Sequence, residues 1–366
     1  MNSATNSAGT AAARTAAART GRPLRVLMPR GLSRIAGQSG IGAAIRHQEQ
    51  IVRSLGHQVV TSPLRPFDVM HLNTPFPDTL LLSWWARLRR RPVLMWAHST
   101  EEDFRDSFTG ANRIAPLFRR WIALLYRRGD AVITPTDYSR SLVSQPKYGI
   151  RRRIHVLSNG VDTSFFRPDP SARDRLRTSL GLPADTRVVM SVGIQMVRKG
   201  ILDWVEVARQ MPGVTFVWYG RTDPRLITKD VAAATASAPS NCLFPGYVSA
   251  EVLRDAYAGC DAFCFLTKEE TEGIVLLEAL ACGAPVLLRD IPIYHDWLPD
   301  GEVTHMVPGD GPAFPAAVRE KLGALLSGDL ADLTAAGRAA AEDVDLGRVA
   351  ERLAGIYRAE GVQRKG

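Results

Sequence analysis

Cysteine is scarce in this sequence, and long apolar runs are missing. All four cysteines fall within residues 242–282, without the paired short spacings of a zinc site, so we interpret them as reduced thiols of a protein core. The longest apolar candidate, residues 273–288, is interrupted by Glu278 and falls short of the ~18 consecutive apolar residues that a membrane-spanning helix needs. These absences argue against a disulfide scaffold, a zinc module and an integral membrane protein.

Aromatic residues make up only 7% of the chain, but hydrophobic residues supply 45% and charged residues 23%, which is the range of globular proteins. Residues 1–22 consist mainly of Ala, Thr, Ser and Arg and lack the apolar region of a secretory signal, so we expect a disordered tail there. A length of 366 residues exceeds one ordinary compact core and favours two domains.

Positive charge is concentrated in the first half. Residues 1–165 contain 24 Lys and Arg against 10 Asp and Glu, whereas residues 166–366 contain 22 against 27. A basic half beside a mildly acidic one suits either nucleic acid or an anionic membrane surface, and charge alone does not choose between them.

Short apolar runs alternate with helix-like segments along the whole chain, which predicts parallel sheets flanked by helices. The predicted strands are Leu24–Met28, Val59–Thr61, Val69–Leu72, Val93–Ala97, Ala131–Thr134, Val188–Val192, Val214–Trp218, Asp261–Leu266 and Pro285–Leu288. This α/β pattern repeats in the two halves, and we therefore expect two Rossmann-like domains.

A turn-rich stretch around Ser158–Asp162, followed by two prolines, marks the expected linker between the domains. The apolar spacing after Asp345 predicts a final helix that closes the fold. The expected divisions are a tail (1–22), a first Rossmann-like domain (23–165), a second Rossmann-like domain (166–345), and a C-terminal helix and tail (346–366).

Glycines precede the first long predicted helix, which runs from about Ser39 to Leu55. Gly40 and Gly42 allow backbone N–H groups to approach a pyrophosphate at the positive end of the helix. Tight-turn glycines are an equally good interpretation of this feature by itself.

Polar residues follow two predicted strands at their carboxyl ends, where open α/β sheets bind ligands. His98 follows the strand 93–97, and the acidic residues 101–103 after it suit either a helix cap or weak site candidates. In the second half, Gly193 follows the strand 188–192, and Arg198 and Lys199 come shortly after. Cations there are suited to neutralising a diphosphate leaving group, although a solvated basic turn is the alternative.

Two carboxylates eight residues apart form the most specific pattern. Glu270 lies in a loop and Glu278 in the following helix, with Gly273 and Ile274 near the helix start. Carboxylates accept paired hydrogen bonds from vicinal hydroxyls, and helix-start amides bind phosphate oxygens. The pattern predicts a site for a sugar nucleotide, whereas an ordinary acidic helix start is the plainer interpretation.

Together these segments resemble the retaining family 4 glycosyltransferases of the GT-B fold, over nearly the whole chain after residue 22. The similarity extends to bacterial diglycosyldiacylglycerol synthases. It is carried by Ser39–Gly42 with His47-Gln48, His71–Thr74, His98–Phe104, Arg289–Tyr294 and Asp296–Leu298. The resemblance implies two Rossmann-like domains facing each other across a cleft.

The resemblance also implies roles for individual residues. It places Gly40 and Gly42 near the donor diphosphate, His98 near the donor sugar, Lys199 on the diphosphate, Glu270 on sugar hydroxyls and Glu278 on the ribose. Two positions depart from the family pattern, since Ile194 replaces an arginine and Glu272 an aromatic residue. We expect Arg198 to supply the missing cation.

No cofactor or metal is implied, because the nucleotide sugar is a substrate. We assign the acidic residues Asp343 and Asp345 to capping of the final helix rather than to metal binding.

The implied activity is transfer of a hexose from UDP-glucose or UDP-galactose to a membrane glycolipid such as monoglycosyldiacylglycerol. The expected location is the cytoplasm, at the inner face of the cell membrane. The alternatives are a family 4 enzyme with a soluble or polysaccharide acceptor and a GT-B sugar-nucleotide epimerase. A nucleic-acid-binding protein would explain the charge, but no recognition motif supports it, and we expect no nucleic acid partner.

Two basic segments with aromatic residues, 80–91 and 117–128, are the predicted contact with an anionic membrane. Packing of their apolar faces on the first sheet is an equally good interpretation. The residues expected at the acceptor and membrane are Trp84, Trp85, Arg89, Arg90, Arg91 and Trp121.

Overall fold

The computed structural model describes residues 22–32 and 40–362, and these residues form two compact α/β units. The first contains residues up to Thr100, Pro116–Gly160 and the chain from Val344 onward. The second contains Glu101–Ala115 and Val161–Asp343. The predicted tail at 1–22 lies, except for Arg22, outside the described residues.

Each unit contains a six-stranded parallel sheet. In spatial order, the first sheet consists of Gln58–Val60, Arg25–Leu27, Val69–Leu72, Val93–Trp96, Ala131–Thr134 and Ile154–Val156. The second consists of His305–Val307, Val286–Arg289, Ala262–Phe265, Val188–Val192, Thr215–Tyr219 and Cys242–Gly246. Connections leave in opposite directions from the central strands Val188–Val192 and Ala262–Phe265, and such a switch point opens a crevice at the carboxyl ends of the strands.

Helices connect the strands in both units. The helices of the first unit are Gly40–Ser54, Pro77–Leu88, Ala111–Tyr126 (which begins in the second unit), Asp137–Val143 and Leu346–Ala359. The helices of the second are Glu101–Phe104, Ala172–Leu180, Ile201–Arg209, Lys229–Ala236, Ala250–Gly259, Ile274–Ala281, Phe314–Ser327 and Thr334–Glu342, with single 3-10 turns at Val197–Lys199 and Pro292–Tyr294. Within the described residues, none of these helices has the length and apolar character to cross a membrane.

Alternate residues of the central strands pack on opposite faces of the first sheet. In the strand Val93–Trp96, Leu94 and Trp96 belong to one apolar cluster, while Val93 and Met95 belong to the other. Both faces are therefore buried, which explains why the strands read as continuous apolar runs.

The final helix, Leu346–Ala359, belongs to the first unit and packs against its sheet. Leu353 and Tyr357 are fully buried in the same cluster as Trp96. Asp345 accepts a hydrogen bond from the Gly347 amide at 2.8 Å, which confirms that Asp345 is the helix cap. The sequence treated residues 346–366 as a separate closing element, whereas the described part of this segment completes the first core.

One predicted domain boundary is wrong, because the chain crosses from the first unit to the second at Glu101 and returns to the first at Pro116. Residues 101–115 were assigned to the first domain, but in the structure they group with the second unit. The backbone amide of Arg198 donates to the Asp106 carbonyl at 3.2 Å, which attaches this segment to the second unit.

Candidate active site

Glycine at position 200 allows two cations to lie against the central strands of the second sheet. Gly200 has φ of +77°, and a Cβ there would lie 2.1 Å from the carbonyl oxygen of Leu266. Any larger residue would push the 3-10 turn Val197–Lys199 away from the strand end. Glycine therefore fixes Arg198 and Lys199 beside the loop that carries Glu270.

The ammonium group of Lys199 makes an ion pair with the carboxylate of Glu270. The Glu270 side chain is 7% exposed and that of Lys199 is 15% exposed. Burial lowers the pKa of Lys199, while the adjacent carboxylate acts in the opposite direction. The structure thus brings together two residues that the sequence assigned separately to diphosphate and sugar, and it places them at the switch point of the sheet.

Arg198 is buried and faces carboxylate and carbonyl oxygens. Its Nη1 atom lies 2.9 Å from Asp103 Oδ1 and donates to the Glu269 carbonyl at 2.8 Å. Burial raises the pKa of Asp103, and the positive charge of Arg198 opposes this shift. Asp103 was only a weak candidate in the sequence, because its position beside Arg198 depends on the chain crossing at 101–115. The substitution of Ile194 for the family arginine leaves Arg198 as a buried cation in this loop, and its role in place of that arginine stays a prediction.

Glu278 lies on the helix Ile274–Ala281, whose first residue follows Gly273. The hydroxyl of Tyr257 donates to Glu278 Oε2 at 3.0 Å, and burial together with this carboxylate raises the pKa of Tyr257 well above its usual value. Gly273 has φ of +90°, which favours glycine and begins the helix abruptly. Since the first amides of a helix have no intrahelical acceptor, those of Ile274 and its neighbours suit phosphate oxygens.

Glu272, which replaces the family aromatic residue, is 3% exposed. A buried aromatic residue nevertheless lies near Gly273, because the Tyr294 hydroxyl is 4.0 Å from the position that a Cβ would take there. Burial and the negative charges of Glu270 and Glu269 raise the pKa of Tyr294 well above its usual value. The sequence did not assign Tyr294 to the site, since it lies 24 positions after Glu270.

In the first unit, His98 is buried at the carboxyl end of its strand. Its Nε2 atom lies 3.0 Å from Asn73 Oδ1, and its ring stacks on that of Trp96 with 6.0 Å between centroids. Burial lowers the pKa of His98 to about 4, so the ring is neutral at pH 7. Gln48 also contacts Asn73, and sequence reasoning assigned no role to either of these two residues. Asn73 could have been found, because it follows a neighbouring strand as His98 does.

The glycine loop before the first helix falls largely outside the described residues, which omit 33–39. Gly40 is the first residue of the helix Gly40–Ser54, and Gly42 is buried within its first turn. The predicted start at Ser39 lies in the omitted segment, and the diphosphate role of Gly40 and Gly42 stays a prediction.

Comparison with known proteins identifies the family to which the chain belongs. The family model described as Glycosyltransferase Family 4 matches residues 10–165, and that described as Glycosyl transferases group 1 matches residues 172–323. A processive diacylglycerol alpha-glucosyltransferase of Acholeplasma laidlawii is 37% identical over 276 residues, which cover 75% of this chain and 81% of the relative. The chain belongs to the family 4 glycosyltransferases.

A second curated relative of this glycosyltransferase is the alpha-galactosylglucosyldiacylglycerol synthase of Streptococcus pneumoniae, which is 29% identical over 75% of this chain and 74% of the relative. Among solved structures, Anabaena HepE in complex with UDP-glucose matches 92% of this chain and 100% of its own, with a TM-score of 0.69 at 16% identity. Sucrose-phosphate synthase from Thermosynechococcus elongatus matches 93% of this chain and 100% of its own, with a TM-score of 0.72 at 18% identity. These likenesses confirm the GT-B fold.

The two basic segments of the glycosyltransferase meet at one surface of the first unit. Leu81, Trp84 and Leu88 on the helix Pro77–Leu88 are 72%, 62% and 76% exposed. The guanidinium of Arg128, at the end of the second segment, lies 4.8 Å from the centre of the Trp84 ring. We call the group Leu81, Trp84, Leu88, Leu117, Leu124, Arg89, Arg90 and Arg128 the Trp–Arg surface.

The structure corrects the expected exposure of two tryptophans. Trp85, which was expected at the acceptor and membrane, is half-buried, and its Nε1 atom donates to the Pro63 carbonyl at 2.9 Å. In the second segment Trp121 is likewise half-buried and donates to the Pro75 carbonyl at 2.6 Å. The exposed large apolar residues of the helix Pro77–Leu88 are therefore Leu81, Trp84 and Leu88.

No metal-binding arrangement of three or more His, Cys, Asp or Glu side chains occurs among the described residues. The four cysteines are unpaired, with three buried and Cys242 half-buried. The expectation that the reaction uses no cofactor stays a prediction.

Proposed function

We propose that this glycosyltransferase moves a hexose from UDP-glucose or UDP-galactose to a membrane glycolipid such as monoglycosyldiacylglycerol, with retention of the anomeric configuration. The observation that carries the proposal is the identity to a diacylglycerol glucosyltransferase over three quarters of the chain. The synthase of S. pneumoniae supports the same acceptor class, and the UDP-glucose complex of HepE supports the donor class.

The cations of the second unit are suited to the leaving group. Lys199 has three N–H donors, so it can keep its bond to Glu270 while it donates to a phosphate oxygen. Arg198 adds a second buried positive charge from the same turn. Glu270 would accept from donor-sugar hydroxyls, and Glu278, held by Tyr257, would accept from the ribose.

Departure of UDP leaves oxocarbenium-like positive charge on the sugar, while negative charge develops on the diphosphate. Arg198, Lys199 and the helix amides after Gly273 would stabilise that negative charge in a site with little water. An oxygen of the departing diphosphate then takes the proton of the acceptor hydroxyl, while the oxygen of that hydroxyl bonds to the anomeric carbon. The proposed step therefore uses neither a side-chain nucleophile nor a metal ion.

The Trp–Arg surface provides the proposed contact with the membrane. Exposed Trp and Leu side chains can enter the headgroup region of a bilayer, and neighbouring arginines attract anionic lipids. We therefore propose that the enzyme binds the inner face of the cell membrane peripherally, without spanning it.

The test is a matrix of donors and acceptors. Purified enzyme is incubated with UDP-glucose, UDP-galactose and GDP-mannose against diacylglycerol, monoglucosyldiacylglycerol and soluble sugars, and products are identified by mass spectrometry and by NMR of the anomeric linkage. We expect an α-linked glycolipid from a UDP-hexose. Products on soluble sugars alone would replace the acceptor, an epimerised donor without acceptor would indicate an epimerase, and a β-linkage would overturn retention.

A further inference from the structure

Three buried polar side chains form a cluster at the carboxyl edge of the first sheet. Asn73 and His98 follow neighbouring parallel strands, and Gln48 reaches them from the helix Gly40–Ser54. Gln48 is fully buried, while Asn73 and His98 are 8% and 7% exposed. Buried polar groups are costly unless hydrogen-bonded, so the orientation of this cluster is fixed by its own bonds.

Two N–H donors converge on one carbonyl oxygen. Asn73 Oδ1 lies 2.7 Å from Gln48 Nε2 and 3.0 Å from His98 Nε2. Exchanging the O and N atoms of both side-chain amides, Asn73 and Gln48, would place the Gln48 NH₂ group where its Oε1 atom now lies. That position is buried and has no partner among the described residues. Two unsatisfied donors cost more than one unsatisfied carbonyl, which selects the orientation with Asn73 Oδ1 as acceptor.

This orientation determines the tautomer of His98. Asn73 Oδ1 can only accept, so its 3.0 Å contact requires a proton on His98 Nε2. The contact of Gln48 Nε2 with His98 Nε2, which would require an unprotonated Nε2, is longer at 3.4 Å. The shorter bond leaves Nδ1 as the acceptor of the neutral ring. Stacking on Trp96, with 17° between the ring planes, restricts rotation of the imidazole. No hydrogen bond to Nδ1 is made by the part of the chain that the structure describes.

We propose that Asn73, held in place by Gln48, is a positioning residue that fixes His98 as the Nε2–H tautomer and presents Nδ1 to a hydroxyl group of the donor hexose. The ligand in this inference rests on the proposed function, whereas the tautomer does not.

The first arm of the test needs no substrate. ¹⁵N-histidine-labelled enzyme is examined by long-range ¹H–¹⁵N NMR, with the His98 signals assigned by their loss in His98→Gln. We expect protonated Nε2 and unprotonated Nδ1 in the wild type, loss of this preference in Asn73→Leu, and no change in the control Thr74→Val, an equally buried neighbour. An Nδ1–H tautomer in the wild type, or an unchanged tautomer in Asn73→Leu, would overturn the proposal.

Asn73→Asp covers the case in which Asn73→Leu does not fold. A carboxylate still accepts from Nε2–H, so the tautomer should persist, but its negative charge should raise the pKa of His98 by at least one unit in the NMR titration. An unchanged His98 titration would show that residue 73 does not act on the ring.

The second arm measures transfer with whichever acceptor the enzyme uses. Asn73→Leu should lower kcat/KM at least tenfold with a normal thermal unfolding midpoint, and Asn73→Asp should recover most of this loss at high pH and lose activity on acidification at a higher pH than the wild type. A changed tautomer with wild-type kinetics would overturn the contact with the hexose. Failure of every lipid acceptor, alongside the expected NMR result, would count against the proposed function alone.

Discussion

Lys199 and Glu270 form a buried ion pair at the ends of the two central strands of the second sheet. A buried pair is costly to break from one side, because the remaining charge is left without its partner. A nucleotide sugar offers both partners at once, with phosphate oxygens for the cation and hydroxyls for the carboxylate. The pair is therefore suited to exchange part of its own bonding for the donor.

Lys199→Ala should reduce turnover at least a hundredfold, which corresponds to about 3 kcal/mol of transition-state stabilisation. Steady-state rates with saturating donor and acceptor measure this. The control is Lys321→Ala, because Lys321 also pairs with a carboxylate, that of Asp300, but lies outside the site. If both variants lost activity to the same small extent, Lys199 would have no special role with the diphosphate.

Tyr257→Phe tests the support of Glu278. The change removes the 3.0 Å hydrogen bond to the carboxylate but keeps the aromatic ring, so the donor KM should rise roughly tenfold while kcat stays within about twofold. Tyr247→Phe is the control, since Tyr247 is 55% exposed. Wild-type donor KM in Tyr257→Phe, together with a collapse of activity in Glu278→Gln, would show that Glu278 acts without this tyrosine.

Much of the sheet was predictable because central strands bury both faces. The strands Val69–Leu72, Ala131–Thr134 and Val188–Val192 have the bounds predicted from their apolar runs. The strands Ile154–Val156, Cys242–Gly246 and His305–Val307 were missed. All three are edge strands, and they lack the long apolar run by which the central strands were found. The first two are only partly buried, whereas His305–Val307 is buried but has only three residues and begins with a histidine.

Candidate site residues were predictable where the chemistry is local in the chain, as for Glu270 and Glu278, whose roles in the reaction stay predictions. The partners that orient the candidate residues were not predictable, because they come from distant segments. Tyr257 lies on the helix before the preceding strand, and Asp103 reaches Arg198 through a chain crossing that no local pattern indicates. Asn73 shares with His98 a position just after a central strand, which is a local signal, but its hydrogen bond with Gln48 joins residues 25 positions apart.

Stability should fall in acid because of His71. This residue is fully buried, its Nε2 atom lies 2.9 Å from the hydroxyl of Tyr357, and burial lowers its pKa from 6.5 to about 3. The folded state resists protonation while the unfolded chain accepts a proton near pH 6.5. The contribution of the neutral His71 ring to the free energy of unfolding is therefore complete above pH 6.5. It declines as pH falls toward 3, by up to about 1.4 kcal/mol per pH unit.

Urea unfolding at several pH values between 7 and 4 checks this expectation. His71→Phe keeps an aromatic ring beside Tyr357 but removes the titrating group, so its unfolding free energy should depend less on pH than that of the wild type. His295→Phe is the control, because the His295 side chain is 56% exposed. Equal pH dependence in His71→Phe and the wild type would assign the acid sensitivity to other groups.

Membrane binding should depend on where the arginines lie rather than on their number. Replacing Arg89, Arg90 and Arg91 together by Gln removes three positive charges at the end of the helix that carries the exposed Trp84, and each basic residue near an anionic surface contributes about 1 kcal/mol. We expect capture by anionic vesicles to fall by roughly one to two orders of magnitude in partition coefficient, with donor hydrolysis in solution unchanged. The exposed run Arg151–Arg153 supplies the control, since its replacement by Gln removes the same charge from another segment.

Liposome flotation with anionic and neutral vesicles at increasing salt measures both triple variants. The wild type should bind anionic vesicles more strongly and be released as salt rises, because charges beyond about 8 Å are screened at physiological ionic strength. Trp84→Ala should weaken binding to both kinds of vesicle, since it removes exposed apolar area rather than charge. Equal losses in the two arginine variants would mean that net charge alone drives capture, and equal binding to both vesicle types at every salt concentration would remove the electrostatic contribution altogether.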